Sequence, residues 1–266
     1  MVDNQFSWAQ RPEQRLELAT QYGLMLTTAG RIVFNSEVNR DYFIEKGLVA
    51  PADPRVHLIP NWYRLPAGVQ QASTRPVGRA RRPVIVYSGN MNDRVDWTAM
   101  DELAEQIPEA DLMLVGSAAR AGEELSRLLM HRNVSYAGAC DERDTLHVLR
   151  GADVAVMPHV TNDVSSFMNP LKLKMYAAVG LPTIALPTPG LAPDGGLLRV
   201  ATRQQFVETV RKVLAESADD AAGGPDGDGG TTRTCDPTED ASTDERRYLD
   251  LVAEVLAGGR SRQVRT

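Results

Sequence analysis

The 266-residue sequence holds only two cysteines, Cys140 and Cys235, and they stand far apart. That spacing excludes a disulfide-built scaffold and the paired patterns of zinc or dithiol chemistry, and it fits a reducing compartment. Long apolar runs are missing too. No stretch of eighteen apolar residues occurs, and the start Met1-Val2-Asp3-Asn4-Gln5 lacks the basic and apolar regions of a signal peptide, so the expected location is the cytoplasm. Nor is base in excess. With 29 Lys and Arg against 35 Asp and Glu, the net charge of −6 argues against nucleic acid as a partner held by overall charge. Aromatics are sparse at 6%, but the apolar total of 42% suffices for one good core, or for one core and a fragment of a second.

What is present is alternation. Apolar residues at near-helical spacing (Leu16, Leu18, Ala19, Tyr22, Leu24, Met25) predict a helix from Arg11 to about Thr28, followed by a short strand Ile32 to Phe34. Ser36 is placed to cap a helix over Glu37 to Lys46 that stops at Gly47, and a strand Val56 to Ile59 closes at Pro60-Asn61. Residues 1–65 thus amount to about one and a half α/β units. Residues 66–83, rich in Pro, Gly, Gln, Ser and Arg without periodicity, read as a linker. Beyond it, strands are expected at Val84 to Tyr87, Leu112 to Val115, Val134 to Ala137, Val154 to Met157, Thr183 to Leu186 and Leu197 to Val200. Helices fall between and after them, at Trp97 to Gln106, Ala121 to Met130, Glu142 to Arg150, Pro170 to Val179 and Arg203 to Leu214. Such a chain builds a mostly parallel α/β sheet covered on both faces over residues 84–215. Residues 216–243 carry Gly, Asp, Ser, Thr and Pro and are expected to be disordered, and 244–266 to form a last helix and tail. The apolar stripe Leu249, Val252, Val255 and Leu256 on that helix needs a surface to pack on.

In open α/β sheets ligands sit beyond the carboxyl ends of the strands. Those exits here are small and polar: Ser88-Gly89-Asn90-Met91-Asn92, Gly116-Ser117, Gly138, and Pro158-His159. Any one glycine there equally suits a strand-to-helix turn, and only the set is suggestive. The sharpest feature is Asn169-Pro170-Leu171-Lys172. It reads as an N-cap, a proline at the first helical position and a lysine in the first turn, where free amides and the helix dipole favour an anion. A capped helix with a merely solvated lysine reads equally well from the residues alone.

The order of these segments resembles a known family. Asn162-Asp163, Asn169-Pro170-Leu171-Lys172-Leu173, Tyr176-Ala177-Ala178 and Gly180-Leu181-Pro182-Thr183-Ile184 are similar to the stretch "NE...NPLKL.EYLAAG.PVV" of bacterial GT-B glycosyltransferases of the group 1, or family four, type. Pro60-Asn61 resembles the family's interdomain "IPNG", Gly89 to Trp97 its "G....R.DW" loop, and Leu112 to Gly116 its second strand and glycine. The likeness runs from about Val33 to Leu191. It implies a Rossmann-like C-terminal domain that binds a nucleotide-diphosphate sugar as donor, without a bound metal, for transfer to a glycan, lipid-linked or small-molecule acceptor in polysaccharide or glycolipid assembly. Asn169, Leu171 and Lys172 are then expected at the diphosphate, Arg94 as a second positive charge, Gly89 and Asn90 along the sugar-phosphate path, and His159 and Asp163 as candidate donor contacts.

Two departures stand out. Met175 occupies the position where the family commonly has a glutamate for the ribose hydroxyls, and Asp163 is the candidate substitute. About 65 residues precede the linker, fewer than a complete acceptor-side domain, so residues 1–65 are expected to be a partial one, with a partner chain as one source of the rest. No catalytic acid or base is assignable. Two alternatives stay open: a degenerate half acting as a non-catalytic binding or partner subunit, and a sugar-nucleotide 2-epimerase of the same architecture. The basic run Arg75, Arg79, Arg81 and Arg82 is either a peripheral contact with anionic lipid or simply solubilising.

Overall fold

The computed structural model describes residues 11–67, 81–162, 165–167, 169–189, 191, 196–222 and 237–262. Asp163 and most of the expected linker lie outside the described residues. The chain opens with α1 (Pro12–Thr28), β1 (Ile32–Phe34), α2 (Glu37–Glu45) and β2 (Val56–Leu58). The two strands pair in parallel, Ile32 opposite Val56 and Phe34 opposite Leu58. One face of this small sheet carries Phe34, which packs with Phe43 of α2 and with Tyr22 and Leu26 of α1. Ser36 caps α2 as expected, its Oγ accepting from Asn39 N at 3.2 Å, and Gly47 ends the helix region at φ 68°, a conformation that costs glycine little.

Six further strands follow: β3 (Val84–Ser88), β4 (Asp111–Val115), β5 (Val134–Tyr136), β6 (Val154–Met157), β7 (Thr183–Ala185) and β8 (Leu197–Arg199). They form one parallel sheet in the order β5-β4-β3-β6-β7-β8. The helices between are α3 (Trp97–Gln106), α4 (Gly122–Leu128), α5 (Glu142–Gly151) and α6 (Leu171–Ala178). Successive side chains of a strand point to opposite faces, and here both faces are apolar because both are covered. Ile85, Tyr87, Leu112, Leu114, Val154 and Val156 meet α3, α4 and the later helix α7 (Arg203–Ala222). Val86, Ala155, Met157 and Ala185 meet Leu146 and Leu149 of α5 and Leu173 and Tyr176 of α6. Strand order reverses between β3 and β6, which opens a crevice at their carboxyl ends, the place where such sheets bind ligands.

The C-terminal region differs from expectation. Residues 216–222 continue α7, and α8 (Pro237–Arg262) starts before residue 244, so the expected disorder over 216–243 does not hold at either end; residues 223–236 lie outside the described set. The buried Phe206, Val207, Val210, Val213 and Leu214 anchor α7, and the alanine-rich continuation costs little to keep helical. Proline at the first position of α8 suits a helix start, where its missing N–H is not needed. This last helix returns to the small sheet. Leu251 packs on Val33 and Ile59, and Tyr248 stacks at 5.4 Å on Trp62, while Leu249, Val252 and Val255 of the expected packing stripe are exposed. Arg247 donates to the Leu58 carbonyl at 3.1 Å, and Arg64 pairs with Glu245.

Candidate functional site

At the crevice, β3 ends in Ser88-Gly89 and β4 in Gly116, and the two glycines touch through their backbones. Gly89 N donates to the Val115 carbonyl at 2.8 Å, and a methyl group added at Gly116 would collide with the Gly89 carbonyl. Both are at positive φ, 144° and 127°, where glycine alone is unstrained. Across the crevice β6 exits into Pro158-His159. His159 forms a single antiparallel bridge with Val95, and Val160 N donates to the Arg94 carbonyl at 2.9 Å, so the loops after β3 and β6 are pinned to each other. Arg94 is half-buried, and its Nε and N both donate to Asn92 Oδ1 at 3.1 Å.

The third wall is the start of α6. Pro170, not Asn169, is the N-cap residue, with φ −73°, ψ 122° and no side-chain cap bond. Pro170 itself sits in the extended region rather than the helical one, so the helix begins one residue later than expected and Asn169 is freed from capping. Its Nδ2 donates instead to the Asn35 carbonyl of the β1–α2 turn at 2.6 Å, and its own carbonyl accepts from Asn61 Nδ2 at 2.7 Å. The first amides of α6, those of Leu171 and Lys172, have no earlier turn of helix to bond. Leu171 is exposed at this end.

Lys172 does not hang at the helix tip. Its side chain runs over the end of β3 through the room left by the absent side chain of Gly89; a methyl group there would meet Nζ and lie 3.0 Å from Cε. Nζ then donates to Tyr87 Oη at 3.2 Å, lies 3.4 Å from His159 Nε2 and sits 4.5 Å from the centre of the Tyr87 ring. Tyr87 in turn donates to the Asn90 carbonyl at 3.2 Å, which orients the exposed Asn90 backbone. Although part of Lys172 stays accessible, burial of its head group and the charge of Arg94 push the ammonium down to about 7. Burial, then Lys172 and Arg94, hold His159 well below its ordinary value, so its ring is neutral. With Nε2 as acceptor toward Lys172, Nδ1 carries the hydrogen, and that buried nitrogen has no partner among the described residues. The arrangement gathers basic groups and, in His159 Nδ1, a buried donor without a partner among the described residues, chemically suited to a multiply charged anion.

Of the residues expected at a donor, Gly89, Asn90, Arg94, His159 and Lys172 therefore meet at one crevice, and Leu171 and Asn169 begin the helix that flanks it. Met175 is half-buried and packs against the cluster around Leu173 and Tyr176. Sequence reasoning missed the two tyrosines. Tyr87 supports Lys172, and the fully buried Tyr176 clamps β3 to α6, its hydroxyl accepting from Ser88 N at 2.9 Å and donating to the Ser88 carbonyl at 3.2 Å. Burial pushes the pKa of both phenols up from its ordinary value, so they remain neutral hydrogen-bonding groups. Their hydroxyls were the available signal, because a buried tyrosine needs a polar partner and both lie in otherwise aliphatic stretches. The basic run is less free than its composition suggests: Arg81 pairs with Asp153 at 3.1 Å and Arg82 with Asp111 at 2.7 Å, while Arg75 and Arg79 lie outside the described residues. Among the described residues no helix is long and apolar enough to cross a membrane.

A family model described as glycosyl transferases group 1 matches residues 82–216. Among curated proteins, a putative teichuronic acid biosynthesis glycosyltransferase of Bacillus subtilis (strain 168) is 27% identical over 150 residues, which cover 55% of this chain and 38% of that protein. The chain thus spans well under half the length of this relative. Among solved structures, a glycosyltransferase from Rickettsia africae has a TM-score of 0.57 at 13% identity, over 96% of this chain and 68% of that one. WaaG, a glycosyltransferase involved in lipopolysaccharide biosynthesis, has a TM-score of 0.53 at 16% identity, over 80% of this chain and 62% of that one. At these identities the structures speak for the fold.

Proposed function

The chain belongs to the group 1 glycosyltransferase family, and from that premise we propose that it is the nucleotide-sugar-binding half of a GT-B enzyme. The reaction is transfer of a sugar from a nucleotide-diphosphate donor to a glycan, lipid-linked or small-molecule acceptor, in polysaccharide or glycolipid assembly. One observation carries the reading: the Lys172 ammonium, threaded through the room that Gly89 leaves, the Arg94 guanidinium and the start of α6 converge where the strand order reverses. When the sugar leaves, negative charge grows on the departing diphosphate, and preorganised cations and amide donors aimed at it lower the barrier. Lys172 and Arg94 supply the charges, the amides of Leu171 and Lys172 and the Nδ1 hydrogen of His159 supply donors, and the backbones of Gly89 and Asn90 line the approach. Asn169 fixes the entry to the helix.

Calorimetric titration with UDP, GDP and dTDP sugars tests this. The expected result is binding of one base series, weakened at least about tenfold by Lys172→Ala, the loss of one charged hydrogen bond. A folded sample that binds none of them overturns it.

A second reading has an observation of its own. Met175 turns a thioether into the core where the family commonly offers a carboxylate to the ribose. The missing charged acceptor contributes about 1.5–3 kcal/mol, which favours a weakly binding partner subunit over a competent donor site. Donor consumption, followed by release of free nucleotide in the presence and absence of candidate acceptors, separates the two: turnover supports the enzyme, and donor binding without turnover or hydrolysis supports the subunit.

A further inference from the structure

The donor site is held in place by a part of the chain that does not touch it. Asn35 and Asn39 belong to the β1–α2 turn and the first turn of α2, and both are buried, Asn39 completely. An asparagine amide has two hydrogens to give, and Asn39 uses both: Nδ2 donates to Asn35 Oδ1 at 2.7 Å and to the Phe167 carbonyl at 3.1 Å. Two residues on, Asn169 Nδ2 donates to the Asn35 carbonyl at 2.6 Å, and its carbonyl accepts from Asn61 Nδ2 at 2.7 Å. Tyr42 of α2 adds an edge-to-face contact with Phe167 at 4.9 Å. Asn39 and Asn61 of the small N-terminal unit therefore hold the main-chain carbonyls of Phe167 and Asn169, and the Asn35 carbonyl holds the Asn169 side chain, immediately before α6. Three residues further on is Lys172, whose head group has to thread between Gly89 and Tyr87.

We propose that Asn39, with Asn35 and Asn61, is a positioning residue for the diphosphate site: the asparagine clasp sets where α6 begins, and so where the Lys172 ammonium and the first helical amides point. This rests on the donor-site reading above. The clasp explains why three side-chain amides are spent on backbone carbonyls that a simple loop would leave to water. It also makes donor affinity depend on the fit of the N-terminal unit against the six-stranded domain, so a movement between the two is transmitted to Lys172 through the contacts at Phe167 and Asn169.

Asn39→Asp tests it, since the shape is kept but both hydrogens are lost and a carboxylate faces two acceptor oxygens. Affinities for UDP, GDP and inorganic pyrophosphate are measured from pH 6 to 9 on samples whose circular dichroism shows them folded. The expected result is about a tenfold loss of affinity, with the pH midpoint of binding moved upward from its wild-type value as the ammonium leaves its enclosure. A folded Asn39→Asp protein with wild-type affinity and midpoint overturns the proposal. If Asn39→Asp does not fold, Asn61→Ala, which removes a single half-buried hydrogen bond, takes its place: a loss of about threefold with a raised midpoint supports the clasp, and wild-type behaviour overturns it. Wild-type protein that binds none of the three probes overturns the donor-site reading, and this inference with it.

Discussion

The Lys172 side chain is placed for binding at a cost to the empty protein. Its ammonium is pushed down to about 7 by burial and by Arg94, so near neutral pH about half of it is uncharged. A diphosphate beside it favours the charged form, and binding takes up a proton wherever the free protein has lost one. Affinity is therefore expected to fall as pH rises from about 7 to 9, and calorimetry in buffers of different ionisation enthalpy will show net proton uptake on binding; flat affinity across this range contradicts the placement. The same burial acts on stability. The folded value lies below the ordinary 10.5, so the unfolded chain holds more protons between these limits, and the folding penalty is full below about pH 7 and vanishes as pH nears 10.5. Lys172→Met is expected to raise the melting temperature at pH 6 by about 2–4 °C, the equivalent of ~1 kcal/mol in a chain of this size, and to abolish donor binding. The lysine was legible in the sequence, as were Gly89 and Arg94. Its direction was not, because a first-turn lysine has as many rotamers toward water as toward β3, and only the tertiary pairing of Gly89 with α6 selects one.

Elements were read more easily than contacts. Strands buried on both faces spell short apolar runs with nothing polar to blur them, so Val154 to Met157 and Ile32 to Phe34 coincide with β6 and β1, and Trp97 to Gln106, with a buried Asp96 cap, coincides with α3. The start of α6 was misjudged by one residue because Asn is a good cap and proline a good first residue, and no local rule says that Asn169 has better partners in Asn35 and Asn61. The ends of α7 and α8 were missed because Gly, Asp and Ser in the intervening segment lowered the expected order of their neighbours. The closest backbone approach in the site, Gly116 against Gly89, gives a test at this scale. Gly116→Ala has no room for its methyl and no relaxed conformation at φ 127°. It is expected to destabilise the chain by about 1–3 kcal/mol in urea denaturation and to weaken nucleotide binding by displacing Gly89. An unchanged midpoint with intact binding would show that the two strand exits have slack the geometry does not reveal.

At the level of the whole molecule, two compact parts share one helix. The six-stranded domain has its own core on both faces of the sheet, whereas the N-terminal unit has two short strands, α1 and α2, and relies on α8 to cover Val33 and Ile59. Leu16 and Leu24 of α1 stay 71% and 68% exposed. That much uncovered leucine predicts self-association: light scattering should show a mass that rises with concentration and falls in Leu16→Gln/Leu24→Gln, and a concentration-independent monomer would dismiss it. Deleting α8 is expected to leave the six-stranded domain folded while amides of β1 and β2 lose their protection from hydrogen exchange. Protection that survives the deletion would make the N-terminal unit independent.

The return of α8 to the first strands also sets an order of assembly at the ribosome. Ile32 to Phe34 emerge early, but the helix that seals them is synthesised some two hundred positions later, and domains settle as units while the chain is still growing. The six-stranded sheet can form in that interval, whereas Val33, Ile59 and Trp62 must wait uncovered. The first two strands are thus made before the six-stranded sheet and completed after it, and a nascent chain stalled before Pro237 presents these side chains to whatever chaperone or neighbouring chain is nearest.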